Sequence, residues 1–166
     1  MAAGDEFGIT PYGTESMHVL RAEKGYIIVG QDTDGSITPH DLGMGAMVST
    51  TKDFLGRRSL SRSHTAGLER KQLVGLLTDD AATVLPEGAQ ITPTAQLPAL
   101  PAPMIGHVTS SYFSPTLNRS IAMAVVRSGL SRMGEKVYLP LVDGRMVAAT
   151  ICSPVFYDPE GKLHHV

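Results

Sequence analysis

Arg21 and Glu23 close a helix-like run that ends at Gly25. A guanidinium placed there grips a carboxylate through paired N–H bonds, the contact an anionic substrate requires. The helix dipole alone also favours a cation at that end, so ligand contact and simple capping both stay open. Gly30 to Asp41 overlays the twelve-residue calcium loop, with Asp32, Asp34, Gly35 and Ile37 at its third, fifth, sixth and eighth positions. Gly30 replaces the first ligand, Asp41 is one methylene short of the closing glutamate, and Pro39 sits inside the loop. The stretch therefore reads as a polar turn. His18, His40, His64, His107, His164 and His165 include no pair at metal-ligand spacing, and no HExxH motif occurs. Arg57, Arg58, Arg62, Arg70 and Lys71 form a basic group that reads as a solvated face. Cys152, the single cysteine, reads as a small buried hydrophobe in a strand rather than a reactive thiol. Gly-x-Ser-x-Gly, GxxxxGK and GxGxxG are all missing.

Fourteen basic against sixteen acidic side chains give a net charge of −2, too balanced for a general nucleic-acid binder. The distribution is uneven, with two basic and seven acidic side chains in residues 1–50 and twelve and nine in residues 51–166. Tryptophan is absent, which leaves few stacking platforms for single strands. No apolar run reaches the ~18 residues of a membrane span, and the N-terminus lacks a signal-peptide pattern, so a cytoplasmic protein is expected. One cysteine excludes an internal disulfide framework.

The elements that must position these residues are short. A helix is expected over about Gly13 to Lys24, with Thr14 as N-cap and Gly25 as its stop. Tyr26 to Val29 reads as a buried strand closed by Gly30. Thr51 to His64 carries basic residues around Phe54 and Leu60, as a short amphipathic helix would. Strands are expected at Leu73–Leu77, Met104–Tyr112 and Ile121–Val126, the last apolar on both faces. Lys136–Val142 and Met146–Cys152, joined by Asp143-Gly144-Arg145, are the strongest hairpin signal in the chain. Gln96 to Pro103 is a proline-rich extended connection, and Phe156 to Gly161 reads as strand then turn. With 17 glycines and 11 prolines, five or six short strands in about 90 residues indicate an antiparallel barrel or sandwich.

Gly8-Ile9-Thr10-Pro11-Tyr12-Gly13-Thr14-Glu15, Leu20-Arg21-Ala22-Glu23-Lys24-Gly25 and Gly30-Gln31-Asp32 resemble the folate-binding aminomethyltransferase family. That family includes the glycine cleavage T-protein and related portions of sarcosine- and dimethylglycine-oxidising enzymes. Lys52-Asp53-Phe54-Leu55-Gly56-Arg57, Leu73-Val74-Gly75-Leu76, Ile105-Gly106-His107-Val108-Thr109-Ser110 and Ser114-Pro115-Thr116-Leu117 are similar in order and spacing to its C-terminal barrel. The resemblance covers nearly the whole chain. Pro11 to Tyr26 looks most like the alpha subunit of the bacterial heterotetrameric sarcosine-oxidising branch, of which this chain would be the last portion.

The resemblance implies a mainly β fold: a small antiparallel β-barrel of the aminomethyltransferase C-terminal type, over residues 46–166. Residues 1–45 would be a short helix–strand remnant of an α+β folate-binding domain. The implied activity is oxidative demethylation of sarcosine to glycine with hydrogen peroxide, the one-carbon unit passing to tetrahydrofolate as 5,10-methylenetetrahydrofolate. FAD, FMN and NAD would bind outside this chain, and the family's catalytic Asp and pterin-binding Glu would lie upstream of residue 1. The isolated chain is then expected to be inactive, with the other subunits of the heterotetramer as partners. Arg21 matches the family arginine near the folate glutamate tail and is the cofactor-binding residue expected here. Val29 and Ala46 stand where the T-protein carries aromatic side chains, which reduces stacking on a folate ring. An aminomethyltransferase without flavin and a non-enzymatic barrel adapter are the alternatives.

Overall fold

The computed structural model describes residues 2–97 and 101–165. Four helices, α1 (Ala2–Asp5), α2 (Thr14–Glu23), α3 (Arg57–Leu60) and α4 (Ser63–Ala66), precede six strands. The strands are β1 (Lys71–Thr78), β2 (Gln90–Ile91), β3 (Gly106–Ser114), β4 (Arg119–Arg127), β5 (Lys136–Pro140) and β6 (Met146–Cys152). They form one antiparallel sheet in the order β2-β3-β4-β1-β6-β5. One bridge draws its two edges together: the Thr92 N–H donates to the Tyr138 carbonyl at 2.8 Å, and Tyr138 returns the bond at 3.0 Å. The result is a nearly closed six-stranded barrel, as expected, and joining the edges removes most of the unpaired backbone an open sheet would present.

β1 and β4 explain why their sequences lack polar alternation. Ala122, Ala124 and Val126 of β4 point inward with Val74, Leu76, Ile91, Val137, Leu139 and Ile151. Ile121, Met123 and Val125 point outward, where Leu73, Ala22, Ile27, Ile37 and Leu42 cover them. A strand with one face in the barrel and the other beneath the N-terminal segment must be apolar at every position.

Several local expectations change. Tyr26 to Val29 forms no strand; Val29 is 84% exposed and makes only an isolated bridge to Thr33. Packing Ile27 onto the outer barrel layer takes the place of sheet pairing. Thr14 is the first helical residue rather than the cap, and Gly13 occupies the cap position without a side-chain bond. The expected helix over Thr51 to His64 is instead two single turns, α3 and α4, interrupted at Ser61-Arg62. β3 begins at Gly106 rather than Met104. The 136–152 hairpin turns through a wider loop, closed by the Leu141 N–H on the Arg145 carbonyl at 2.8 Å, with Gly144 at φ +84°. Phe156 lies in no strand; its N–H and that of Tyr157 cap the carbonyl of Glu23 at 2.9 Å each. Pro98, Ala99 and Leu100 in the proline-rich connection lie outside the described residues.

Arg70 departs from the solvated basic face. Its Nε donates to both Asp41 carboxylate oxygens at 2.9 Å, its Nη1 to the His64 carbonyl at 2.8 Å, and its Nη2 to the Ser36 carbonyl. Thr38 adds an N–H and an O–H bond to the same carboxylate, each 2.8 Å. The Asp41 carbonyl accepts the Leu73 N–H at 2.8 Å, which stitches this loop to β1. Burial alone would raise the Asp41 pKa, but the Arg70 and Thr38 bonds outweigh it and hold it below 3.8. A carboxyl depressed in the folded state adds stability above its unfolded pKa and loses it as pH falls through the folded value. Stability against urea should therefore fall below about pH 4, and Asp41→Asn should flatten that acid slope. Equal slopes in the two proteins would contradict this.

Candidate functional site

α2 delivers Arg21 through its C-terminal geometry. The Gly25 N–H returns to the Ala22 carbonyl at 3.0 Å and the Tyr26 N–H to the Arg21 carbonyl at 2.9 Å, the paired bonds of a Schellman stop. Gly25 adopts φ +71°, and a Cβ there would meet the Pro154 carbonyl oxygen at 2.7 Å, so glycine is required twice over. The chain then folds back along the barrel and brings Asp32 beneath Arg21.

Asp32 lies in a polar turn, as its sequence indicates, but its side chain is buried, the residue being 1% exposed. Its Oδ2 accepts Arg21 Nη1 at 2.5 Å and the Ile28 N–H at 2.9 Å. Its Oδ1 accepts the hydroxyls of Thr109 and Ser110, each at 2.6 Å. Consecutive strand residues ordinarily point to opposite faces. Here the β3–β4 register shifts between Val108 and Ser110, leaving Thr109 as an extra residue, and both hydroxyls reach one carboxylate oxygen.

The Arg21 side chain is 9% exposed and is held on several sides. Nη1 also donates to the Tyr26 carbonyl at 3.1 Å, and Nη2 donates to Ser110 Oγ at 2.6 Å and Tyr112 Oη at 3.4 Å. Its Cζ lies 5.7 Å from the Tyr112 ring centroid, whose ring also meets His18 edge-on at 6.4 Å. Gln31 Nε2 reaches Ser110 Oγ at 3.1 Å and Glu87 Oε1 at 2.9 Å. The Arg21 Nε is buried without an acceptor among the described residues. Arg21 is thus neither a free surface cation nor a simple helix cap. It is an oriented guanidinium with one unspent donor.

The remaining candidates are separate from this cluster. Arg57 and Arg58 line a cavity of about 430 Å3 with His40, Phe54 and Leu60. Cys152 ends β6 half-buried; burial pushes its thiol up to about 11 against a weaker pull from Arg119, as suits an unreactive packing residue. No three His, Cys, Asp or Glu residues are arranged to hold a metal among the described residues. The side chains of His164 and His165 lie outside the description. No described helix is long and apolar enough to cross a membrane. The sequence assigns no contact to Asp32, Ser110 or Tyr112, although Asp32 falls in the calcium-loop overlay and in the Gly30-Gln31-Asp32 motif and Ser110 in the motif from Ile105.

The family model of the glycine cleavage T-protein C-terminal barrel domain matches residues 71–158, and that of the GCVT N-terminal domain matches residues 1–52. The chain belongs to the glycine cleavage T-protein family. It is 52% identical over 162 residues to the sarcosine oxidase subunit alpha of Corynebacterium sp. (strain P-1), covering 97% of this chain and 17% of that relative. It is 32% identical over 151 residues to an aminomethyltransferase of Clostridium botulinum (strain Okra / Type B1), covering 90% of this chain and 38% of the relative. The crystal structure of the glycine cleavage system aminomethyltransferase T from Bartonella henselae superposes with a TM-score of 0.70 at 25% identity, over 86% of this chain and 38% of that one. The chain therefore spans about a sixth of the length of the sarcosine oxidase subunit it matches.

Proposed function

We propose that this chain serves a sarcosine-oxidising enzyme that hands its one-carbon unit to folate. Sarcosine is oxidatively demethylated to glycine with release of hydrogen peroxide, and tetrahydrofolate, when bound, supplies the acceptor for the one-carbon unit. The observation that carries this reading is the 52% identity running through both the N-terminal segment and the barrel, against 32% for the aminomethyltransferase. Residues 1–45 belong to the folate-binding domain and residues 46–166 to the barrel. FAD, FMN and NAD sites, and the surfaces meeting the other subunits, fall to portions of the enzyme beyond this chain, which acts in the cytoplasm.

Within that reading, Arg21 faces the carboxylates of the folate tail. Its Nη1 and Nη2 are spent on Asp32, Tyr26, Ser110 and Tyr112, so the one donor left for an anion is the buried Nε. A charge-assisted contact contributes about 1.5–3 kcal/mol. In the assembled enzyme, Arg21→Lys should keep a cation beside Asp32 and lose the planar fork, weakening tetrahydrofolate binding roughly tenfold or more. Sarcosine turnover without folate should hold steady, and the 166-residue chain alone should produce no peroxide. An unchanged tetrahydrofolate dissociation constant in a folded Arg21→Lys enzyme would reduce Arg21 to a structural clamp.

A further inference from the structure

We propose that the cleft between α2 and the β3–β4 turn binds a compact organic cation, a primary or secondary ammonium carrying a short apolar group and no carboxylate. The proposal is independent of the Arg21 reading and begins with Glu23. That residue is 2% exposed, and its carboxylate receives one side-chain bond, from the Ser114 hydroxyl at 2.6 Å on Oε1. Its Oε2 has no donor among the described residues. Ser114 offers nothing further, because its single proton goes to Glu23 and its oxygen accepts the Leu117 N–H at 3.0 Å.

The cations nearest in sequence are committed elsewhere. Arg21 pairs with Asp32, and Lys24 Nζ donates to the Asp158 carbonyl at 2.6 Å and its Oδ2 at 3.1 Å. No Lys or Arg forms an ion pair with Glu23 among the described residues. Glu23 Oε2 is not fully sealed from solvent, so it is the carboxylate oxygen that a cation in the cleft would reach, and a cation paired with it there gains from the low exposure of the acid.

The cleft beside Glu23 has room for that cation and walls for its apolar part. It encloses about 280 Å3 between Val19, Leu20, Phe113 and Pro115, with Glu15 at its margin and no basic residue in its lining. Leu20 is 54% and Phe113 41% exposed, so apolar surface stands open on both sides of the acid. Hard metal ions require six or more oxygen ligands, which these hydrocarbon walls do not supply. Two carboxylates disfavour a ligand that brings its own, which selects simple amines over amino-acid zwitterions.

The test titrates the 15N-labelled 166-residue chain with 3-methylbutylammonium chloride, and with 3-methylbutan-1-ol and L-leucine as its neutral and carboxylated counterparts. The amine should give saturable amide shifts confined to Val19, Leu20, Glu23, Phe113, Ser114 and Thr116. The alcohol and leucine should each bind at least about tenfold more weakly, the scale of one lost charge-assisted contact. Glu23→Gln should lower amine affinity by a similar factor, and Glu15→Gln, at the exposed margin, by roughly twofold. Should Glu23→Gln fail to fold, the amine–alcohol comparison on the unaltered chain decides alone. Equal binding of amine and alcohol, no saturable shift, or unchanged amine affinity in a folded Glu23→Gln chain would each overturn the proposal.

Discussion

Asp32→Ala should lower the unfolding free energy by about 3–5 kcal/mol, the cost of stripping one partner from a buried ion pair. The magnitude follows from what is left behind. The Arg21 guanidinium, 9% exposed, would lose its counter-ion in place, and the Thr109 and Ser110 hydroxyls and the Ile28 N–H would lose a shared acceptor. Each orphaned buried donor adds its own desolvation penalty. Asp32→Asn keeps the shape and some acceptor capacity, so its loss should be smaller. Removing both charges with Asp32→Asn and Arg21→Met should recover part of the loss, because an apolar replacement spares the guanidinium its uncompensated burial. Urea unfolding followed by circular dichroism measures all three. A loss under about 1 kcal/mol for Asp32→Ala would place the pair among weak surface bridges and remove its role as the clamp between segment and barrel.

Gly106→Ala should be the most damaging of the conservative changes. Gly106 opens β3, lies opposite both Ile91 and Val126, and is buried. A Cβ there would press on the Val125 carbonyl oxygen and stand 2.9 Å from Val126 Cα and 3.1 Å from the Val125 carbonyl carbon. Those atoms belong to the backbone of β4, so no side chain can swing aside, and the strands must part. Overpacking of this kind costs about 3 kcal/mol or more. Gly35→Ala is the control: its added Cβ meets no atom within 4 Å, and its φ is not in the left-handed region. That change should be neutral or stabilise by a few tenths of a kcal/mol through the unfolded state. Matched unfolding midpoints for the two variants would show that β3 and β4 tolerate separation.

The barrel was the legible part of the chain. Ile121 to Val126 announces a strand buried on both faces, and the Asp143-Gly144 hairpin falls where expected. Those signals are local, carried by side-chain type and turn chemistry. β2 was missed because two residues, Gln90 and Ile91, are too few to show a period. Tyr26 to Val29 was misread because an apolar run records burial demand without recording what meets it, and a helix-and-loop cover satisfies Ile27 as well as a sheet would. At the site, Arg21 was found but its surroundings were not. Asp32 sits among turn-forming residues, and only a bulge 77 residues away, at Thr109, turns it into the most heavily bonded carboxylate of the cluster. Bulges leave almost no trace in composition, and a buried aspartate looks like an exposed one until its partners are placed.

The double-sided burial of β4 bears on how such a barrel is inherited and cut. Sequence similarity to the barrel module begins at residue 71, yet Ala22, Ile27, Ile37 and Leu42 from the N-terminal segment share in covering the outward row of Ile121, Met123 and Val125. A barrel excised at that boundary would display an apolar stripe along its central strands and would meet its neighbours through it. The unit that buries β4 is larger than residues 71–158, and a chimera joining this barrel to a foreign domain should carry residues 14–42 with it or supply another lid of the same shape.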